Sequence, residues 1–307
     1  MELGVHLPLI EFADEGQSLG RLAAVADTAR ECGFTALAAN DHFLFAKPWL
    51  DGPTALAGVV ERTGAMDLMT TVSLVALRGP VPLAKTLQAL DVLSQGRMIA
   101  GVGPGSSARD YDAVGVPFDE RWARFDEATA VLRSLLRGEP PPAALRFHAQ
   151  PDGPLAPASP RSGGVPVWIG SWGSPAGLRR VARLGDGWLA SAYNTTPETF
   201  ARARESLSGE LGERSGRFPN ALVTMWTWIT TDRREADRVL RDVLSPMLKR
   251  DPDVLRDQVC VGSPDHCAEL LSRYAAAGCH RVLLFMVGDE RRQIELAAAE
   301  VHPAIGS

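Results

Sequence analysis

Short apolar runs alternate with amphipathic helical patterns along most of this chain. Runs of 4–8 apolar residues bounded by polar or glycine-rich stretches predict strands, and apolar residues at spacings of three and four predict helices. The predicted strands are Leu3–Leu7, Thr35–Asn40, Met69–Ala76, Met98–Val102, Pro166–Ile169, Gly187–Ser191, Leu222–Thr230 and Arg281–Val287. Predicted helices cover Ser18–Cys32, a segment after Pro53, a segment from Pro80, Phe118–Leu136, a segment from Ser174-Pro175, Arg233–Leu248, Pro264–Ala277 and Arg291–Val301.

Eight strands with helices between nearly all of them predict a parallel sheet. Two α/β folds fit this order: an open, doubly wound sheet and a closed (β/α)8 TIM barrel. Eight units follow one another with neither a linker nor a repeat boundary, which favours the TIM barrel and a single domain over residues 1–307. In such a barrel the carboxyl ends of the strands carry the chemistry.

The segment from Leu77 to Gly105 is the most informative stretch of the chain. Leucines 83, 87, 90 and 93 predict one apolar helix face, and Gly96 stands where a helix usually ends in a left-handed turn. The strand that follows runs into Gly101, Gly103 and Gly105. Bare backbone at a strand end gives room for a phosphate or a flat ring.

The alternation of predicted strands and helices is interrupted between Gly138 and Gly164, a segment that contains seven prolines. A long irregular segment inside a compact domain is uncommon and is often functional. We expect an insertion before strand five that either lies on the surface or closes over the pocket.

Composition narrows the class of protein. The chain has 307 residues, 45% of them hydrophobic and 22% charged, with a net charge of −5, which is typical of a globular protein and argues against a nucleic-acid partner. No run approaches the length of a membrane span, and the first ten residues lack the basic region of a signal peptide. Four cysteines at spacings that match no metal or redox motif predict free thiols, no metal site and a cytoplasmic location.

Polar residues and glycines collect where the predicted strands end. Strand two ends in Asp41-His42, strand four in the run Gly101–Ser106, and strand five in Gly170–Ser174. One histidine among glycines, hydroxyls and apolar residues suits a bound organic cofactor better than hydrolysis. A hydrolase or lyase on the same fold would need paired acids or a metal, which the strand ends do not offer.

Five segments resemble the bacterial luciferase-like monooxygenase family, which includes the deazaflavin (F-420)-dependent oxidoreductases. They are GFTALAANDHF, LRGPVPLAKTLQALDVLSQGRMIAGVGPG, YDAVGVPFDERWARFDEA, VPVWIGSWGSPAGLRRVARLGDGW and VGSPDHCAELLSRYAAAG. Their order and spacing carry the resemblance, which covers most of the chain. The resemblance implies a TIM barrel that binds F-420 or FMN at its carboxyl-terminal mouth, takes a small-molecule substrate and forms a homodimer.

The resemblance also implies roles for particular residues. His42 matches a histidine near the reacting edge of the flavin or the substrate, where it would transfer a proton or bond to a developing charge. Asp41 would orient the site rather than act as a base. Thr71-Val72 falls where the family often has a non-prolyl cis peptide that forms a bulge behind the flavin ring.

Backbone and hydroxyl groups would hold the cofactor. Gly103, Gly105 and Ser106 would admit its ribityl-phosphate side. The phosphate would bind at the start of the helix after strand five, where free N–H groups and the positive dipole end favour an anion. The residues there are Gly170, Ser171, Trp172, Gly173 and Ser174, and Trp172 and Trp188 could wall the pocket.

The chain departs from both better-known branches of the family. The sugar-phosphate dehydrogenase branch has a glutamate after the glycine run, where this chain has Ser106, and a tryptophan soon after the histidine, where it has Phe43-Leu44-Phe45-Ala46. The luciferase branch has a cysteine near the glycine run, and this chain has none. The GVGPG run and the Asp-His pair resemble the F-420-dependent branch more, which implies F-420-dependent hydride transfer. An FMN-dependent monooxygenase and a non-catalytic flavin-binding protein are the alternatives.

Overall fold

The computed structural model describes residues 1–12, 16–149 and 153–306. Within them, eight strands form the barrel, and we number them β1–β8 in chain order. Their bounds are β1 Glu2–His6, β2 Ala36–Ala39, β3 Asp67–Thr70, β4 Met98–Gly103, β5 Val167–Gly170, β6 Gly187–Ser191, β7 Asn220–Ile229 and β8 Arg281–Met286.

The sheet is parallel throughout and closes on itself. Each strand pairs with the next along the chain, from β1 with β2 through to β7 with β8. Strand β8 also pairs with β1, with Arg281 opposite Glu2 and Leu284 opposite Val5. The predicted TIM barrel is therefore confirmed. Two short strands, Ser73–Leu74 and Cys260–Gly262, pair in parallel with the carboxyl ends of β4 and β7.

Helices surround the barrel. In chain order, α1–α13 are Leu19–Glu31, Gly52–Val59, Val75–Arg78, Pro80–Leu93, Ala108–Ala113, Arg121–Arg137, Pro175–Leu184, Pro197–Leu211, Arg233–Arg238, Ser245–Leu248, Pro252–Arg256, Pro264–Ala276 and Glu290–Leu296. A wider helical turn at Val239–Leu244 joins α9 to α10, and another at Ala297–Val301 continues α13.

Two predicted elements need correction, and two helices were not predicted. The third predicted strand, Met69–Ala76, is displaced and too long, since β3 runs from Asp67 to Thr70 and Val75 already lies in α3. An apolar run cannot distinguish a buried strand from a buried helix, which explains the error. The long helix begins at Arg121 because Phe118–Glu120 forms a separate tight turn. Helices α5 and α8 were missed.

Two side chains assigned to apolar helix faces are exposed. Leu83, Leu87 and Leu90 are buried, but Leu93 is 62% exposed. At about 100° per residue, Leu93 lies about 80° around the helix from Leu83, at the edge of the apolar stripe. Trp122 in the first turn of α6 is 43% exposed, and Arg180 lies over its ring.

Buried apolar side chains fill the barrel interior. One cluster of buried side chains from all strands but β1 packs inside it: Ala36, Ala38, Met69, Ile99, Trp168, Leu189, Ala221, Val223 and Leu283. Strand β1 contributes Gly4, where a Cβ would lie 2.3 Å from Leu283 Cδ2. This layer fills the lower barrel, so a ligand has access only from the mouth at the carboxyl ends of the strands.

The proline-rich insertion does not cover that mouth in its described part. Glu127 of α6 accepts N–H bonds from residues 146–148, Asp91 of α4 accepts the Ser159 hydroxyl, and Arg161 bonds to Gly96 O. These contacts hold the insertion to the outside of α4 and α6 and to the turn before β4. The connection runs from the end of a helix to the start of β5, which places it at the amino-terminal end of the barrel. Of the two expected positions, the described residues therefore take the one on the surface; residues 150–152 lie outside the described part.

Candidate active site at the carboxyl ends of the strands

His42 follows β2 at the mouth and is held by a carboxylate from a neighbouring loop. Its Nδ1 lies 2.8 Å from Oδ2 of Asp110, which stands in the first turn of α5. The other oxygen, Oδ1, accepts N–H bonds from Phe43 at 3.0 Å and Leu44 at 2.7 Å. The Asp110 side chain is 2% exposed and that of His42 is 23% exposed. Asp110 therefore fixes both the imidazole and the backbone that carries it.

These bonds set the protonation states of the pair. Burial raises the pKa of Asp110, but the bonds from His42, Leu44 and Phe43 outweigh burial and lower it. An ionised carboxylate only accepts hydrogen bonds, so Nδ1 of His42 carries a proton. Among the described residues nothing bonds to Nε2. His42 can therefore accept or donate a proton at Nε2.

Aromatic rings enclose His42. The ring centroids of Phe45 and Trp49 lie 5.0 Å and 4.7 Å from that of His42, and the two rings meet edge to face at 4.8 Å. Trp49 is fixed by a bridge between its backbone and that of Ile10, which follows β1. Such rings exclude water from one side of the imidazole and favour an apolar ligand surface there.

Asp41 lies beside His42 in the chain but is occupied by other partners. Arg78 donates to both of its carboxylate oxygens, at 2.6 Å and 2.7 Å, and the Leu74 N–H donates at 3.2 Å. Arg78 also pairs with Asp51. The pair connects the end of β2 to α3, which follows the third strand. This geometry suits the orienting role expected of Asp41.

The Thr71–Val72 peptide bond is cis, as the family resemblance implied. The Val72 side chain lies against the glycines of the next two strands. A Cβ on Gly103 would lie 2.6 Å from Val72 Cγ2, and one on Gly170 would lie 3.0 Å from Val72 Cγ1. These two glycines therefore admit the Val72 side chain, which forms part of the floor beneath the mouth.

The other predicted cofactor residues lie further out on the same side. Gly105 has φ +75° and turns the chain away from β4, and Ser106 is exposed. Ser171 Oγ accepts the Gly173 N–H at 3.3 Å, and Ser174 Oγ accepts the Gly177 N–H at 3.2 Å. Serines thus cap two amides at the start of α7. That this end of α7 binds a phosphate stays a prediction.

The two tryptophans proposed as walls have different surroundings. Trp172 is 60% exposed at the start of the α7 loop. Trp188 is 1% exposed, stacks on Phe200 of α8 at 4.9 Å and donates its indole N–H to Ser171 O. Trp188 therefore packs between the barrel and its helices and supports the Ser171 loop from behind.

Buried polar atoms without partners surround the mouth. Among the described residues these include His6 Nδ1, Asn40 Oδ1, Thr71 Oγ1 and Ser73 Oγ, at or just beyond the ends of β1, β2 and β3. A buried polar group without a hydrogen bond is costly, so such groups mark a place where a ligand or water supplies the missing partners. Polar atoms beside the apolar Val72 side chain fit a flat heteroaromatic cofactor.

Sequence reasoning missed Asp110 and Trp49. The sugar-phosphate dehydrogenase branch of the family has an acid directly after the glycine run, at the position of Ser106, and a tryptophan soon after the histidine. The structure supplies an acid four residues later, from the buried side of a short helix, and a tryptophan seven residues later, across a loop. The segment ARDYDA offers two aspartates, Asp110 and Asp112, and only folding shows which one is buried.

Two shallow surface cavities lie away from this mouth. One, of about 550 Å³, lies against α7 and includes Arg179 and Glu210; the other, of about 510 Å³, opens at the amino-terminal end of β1 beside Gly33 and His280. Neither contains the convergent groups found around His42. None of the described helices combines the length and apolar character that a membrane crossing requires.

The closed barrel and the histidine-centred mouth define a TIM barrel with a candidate site at the carboxyl ends of the strands. The model of the luciferase-like monooxygenase family matches residues 1–247. The chain belongs to this family.

The chain is also similar in sequence to curated proteins. The chain is 30% identical to an uncharacterised protein of Mycobacterium bovis over 49% of this chain and 51% of that protein, so the match spans about half of that relative. It is also 25% identical to an F-420-dependent glucose-6-phosphate dehydrogenase of Nocardia farcinica, over 99% of this chain and 98% of that enzyme.

Solved structures share the fold. An F-420-dependent secondary alcohol dehydrogenase in complex with an F-420–acetone adduct superimposes with a TM-score of 0.84 at 19% identity, over 100% of this chain and 99% of that one. The oxygenating constituent of 3,6-diketocamphane monooxygenase from Pseudomonas putida, in complex with FMN, gives 0.74 at 20% identity, over 99% and 98%.

Proposed function

We propose that this protein catalyses F-420-dependent hydride transfer to or from a small organic substrate, with the cofactor bound at the mouth of the barrel. The observation that carries the proposal is the His42–Asp110 pair, which presents a free imidazole nitrogen at the carboxyl end of β2. The full-length similarity to F-420-dependent dehydrogenases supports the choice of F-420.

The residues at the mouth suit this cofactor. The Val72 side chain, backed by Gly103 and Gly170, would support one face of a planar ring. The buried polar atoms of Asn40, Thr71 and Ser73 could meet its heteroatoms. Gly105, Ser106 and the Gly170–Ser174 loop would hold the ribityl-phosphate side. When bound, the cofactor supplies or accepts the hydride.

The protein itself would transfer a proton in a site shielded from water. His42 Nε2 would take the proton from a substrate hydroxyl as hydride leaves, or return it in the reverse direction. Asp110 would hold the imidazole in the tautomer that keeps Nε2 unprotonated in the neutral state, and would stabilise the charged form. Phe45 and Trp49 would exclude water beside the reacting oxygen.

An FMN-dependent monooxygenase that uses molecular oxygen is the second candidate. The fold shared with the FMN complex of the diketocamphane enzyme favours it. The glutamate of the sugar-phosphate branch is absent at Ser106, so we do not propose a sugar phosphate as substrate. Within the mouth, His42 and its aromatic rings suit a small, mostly apolar alcohol or carbonyl compound.

Turnover measurements test the proposal. The wild type is offered F-420 with a panel of small alcohols, or reduced F-420 with the matching carbonyl compounds, and the deazaflavin absorbance is followed. We expect turnover with at least one pair, and His42→Ala should lower the rate about 100-fold or more. Oxygen consumption with reduced FMN, and no F-420 turnover, would contradict the proposal and favour the monooxygenase.

A homodimer and a cytoplasmic location complete the proposal. The four cysteines are free thiols, and three of them are buried, which suits a reducing compartment. Light scattering coupled to size-exclusion chromatography should give twice the monomer mass of 33.0 kDa. A monomer at micromolar concentration would contradict the dimer.

A further inference from the structure

A second histidine lies at the mouth, on a different strand from His42. His6 is the last residue of β1 and is 1% exposed. Side chains alternate along a strand, so His6 shares the inward face with Gly4, which lies against Leu283 inside the barrel. His6 therefore stands inside the barrel, one layer above its packed floor, and the proposed mechanism leaves it without a role.

The His6 ring is fixed in position and orientation. It stacks on Phe285 of β8 with the ring centroids 4.9 Å apart. The ring of Trp226 in β7 packs against the same phenyl ring, with a centroid separation of 4.5 Å. His6 Nε2 accepts the Thr224 N–H at 3.3 Å. Thr224 lies at the irregularity where the register of β7 against β8 shifts, and its φ of +58° belongs to the left-handed region.

This contact determines which nitrogen carries the proton. Because the amide N–H donates to Nε2, Nε2 has no proton. Burial lowers the pKa of His6 to about 3, so the ring is neutral at physiological pH. A neutral imidazole carries one proton, so it resides on Nδ1. Nδ1–H is a buried donor, and no acceptor for it exists among the described residues.

The topology indicates what this donor faces. The glycine-rich strand ends that would hold the cofactor's phosphate side belong to β4 and β5, which lie across the barrel from β8 and β1. A ligand anchored there and extending across the mouth brings its far end to the β8–β1–β2 side. His42, at the end of β2, lies on that same side.

We infer that His6 is a ligand-binding residue whose Nδ1–H donates a hydrogen bond to a ring carbonyl oxygen of the bound flavin-type cofactor. The inference rests on the proposed cofactor site and adds a specific contact to it. A neutral donor matches a neutral carbonyl oxygen and requires no compensating charge in the buried mouth. His6 thus binds and orients the ring, while His42 handles the proton.

Two substitutions separate this role from a structural one. In His6→Asn the amide NH₂ can stand near the position of Nδ1 and keep the donor, while the acceptor for Thr224 is lost. In His6→Gln the longer side chain can place its carbonyl near the position of Nε2 and keep that acceptor, while the donor is lost. His280→Gln, at the amino-terminal end of the barrel, is the control for the same chemical change.

The measurement is the dissociation constant for F-420 and for FMN, with the melting temperature of each variant. One hydrogen bond contributes about 1 kcal/mol, so we expect His6→Gln to weaken binding of the preferred cofactor about fivefold to tenfold. His6→Asn should stay within about threefold of the wild type, and His280→Gln should not change the constant. Unchanged binding by His6→Gln, or equal weakening in both His6 variants, overturns the inference.

Nitrogen-15 NMR of the ring gives a readout that does not depend on a variant's folding. In the wild type, Nδ1 of His6 should be protonated and Nε2 unprotonated, and the Nδ1–H resonance should shift when the cofactor saturates the protein. The opposite tautomer, or a resonance that does not respond to bound cofactor, overturns the inference alone. A wild type that binds neither F-420 nor FMN overturns the proposed function, and this inference with it.

Discussion

At the scale of single residues, the site depends on Asp110, which does three things with one carboxylate. It orients His42, fixes its tautomer and accepts two backbone N–H bonds from the His42 loop. Removing a carboxylate that orients a functional histidine typically costs 10–100-fold in function. An asparagine in its place could donate to Nδ1 through the side-chain amide, so the wrong tautomer would become available.

We therefore expect Asp110→Asn to lower kcat by about 10–100-fold while the dissociation constant of the cofactor changes by less than about threefold. Asp112→Asn is the matched control, because Asp112 is exposed on the same helix. Steady-state kinetics and a cofactor titration of both variants check this. Equal kcat values for Asp110→Asn and the wild type would show that the carboxylate does not support catalysis.

The same carboxylate predicts a pH dependence of stability. Its pKa is lowered in the folded protein, so the stability it contributes is present above the unfolded pKa and is lost as the pH falls through the folded value. The difference in free energy of unfolding between the wild type and Asp110→Asn should be largest near pH 7 and should shrink below about pH 4. Urea unfolding at several pH values measures it. A difference that grows towards acid pH would contradict the assignment.

At the scale of elements, the Arg78–Asp41 pair connects the end of β2 to helix α3. The Asp41 side chain is 1% exposed, and removing one partner of a buried pair leaves an uncompensated charge. Arg78→Ala should lower the free energy of unfolding by about 3 kcal/mol or more. Arg62→Ala, which removes an exposed ion pair with Asp27, should change it by less than about 1 kcal/mol. Similar losses in the two variants, measured by urea unfolding, would argue against a special role for the buried pair.

The contact between Val72 and Gly103 predicts a compensating pair of substitutions. Gly103→Ala places a methyl group against Val72 and should destabilise the protein by about 1–3 kcal/mol and weaken cofactor binding. Adding Val72→Ala makes room and should restore part of both losses. Gly209→Ala, in α8 with no atom within 4 Å of its Cβ, should be neutral or slightly stabilising. A double variant no better than Gly103→Ala would show that Val72 is not the obstacle.

Elements that bury a regular apolar pattern could be predicted from the sequence. Seven of the eight strands and the longer helices other than α8 appear near their predicted bounds, and β6 matches Gly187–Ser191 residue for residue. Two of the errors, the short helix α5 and the second half of the third predicted strand, lie where the pattern carries no clear period. Helix α8 was missed although its buried residues Phe200, Ala203, Leu207 and Leu211 recur at helical spacing. The site residues that directly follow a strand could be predicted in the same way, and those on loops could not. His42 and Asp41 come directly after a strand, whereas Asp110 and Trp49 reach His42 from loops that only the folded chain brings together.

At the scale of the whole molecule, the barrel places all of these groups at one end. A layer of buried apolar side chains fills the barrel interior, and the described part of the insertion is attached to the outside of α4 and α6 rather than to the mouth. The eight strand ends therefore form an open site whose β1–β2 side carries two histidines and whose β4–β5 side carries glycines and serines. Such a mouth suits a long ligand with a ring at one end and a phosphate at the other.

The central claim is that this mouth binds a flavin-type cofactor, and titration of the purified apo-protein tests it most directly. F-420 and FMN are titrated separately, and binding is followed by fluorescence or calorimetry. We predict a dissociation constant below about 100 μM, equivalent to about −5.5 kcal/mol, with F-420 bound more tightly than FMN. Weaker binding of both cofactors than this value would contradict the account.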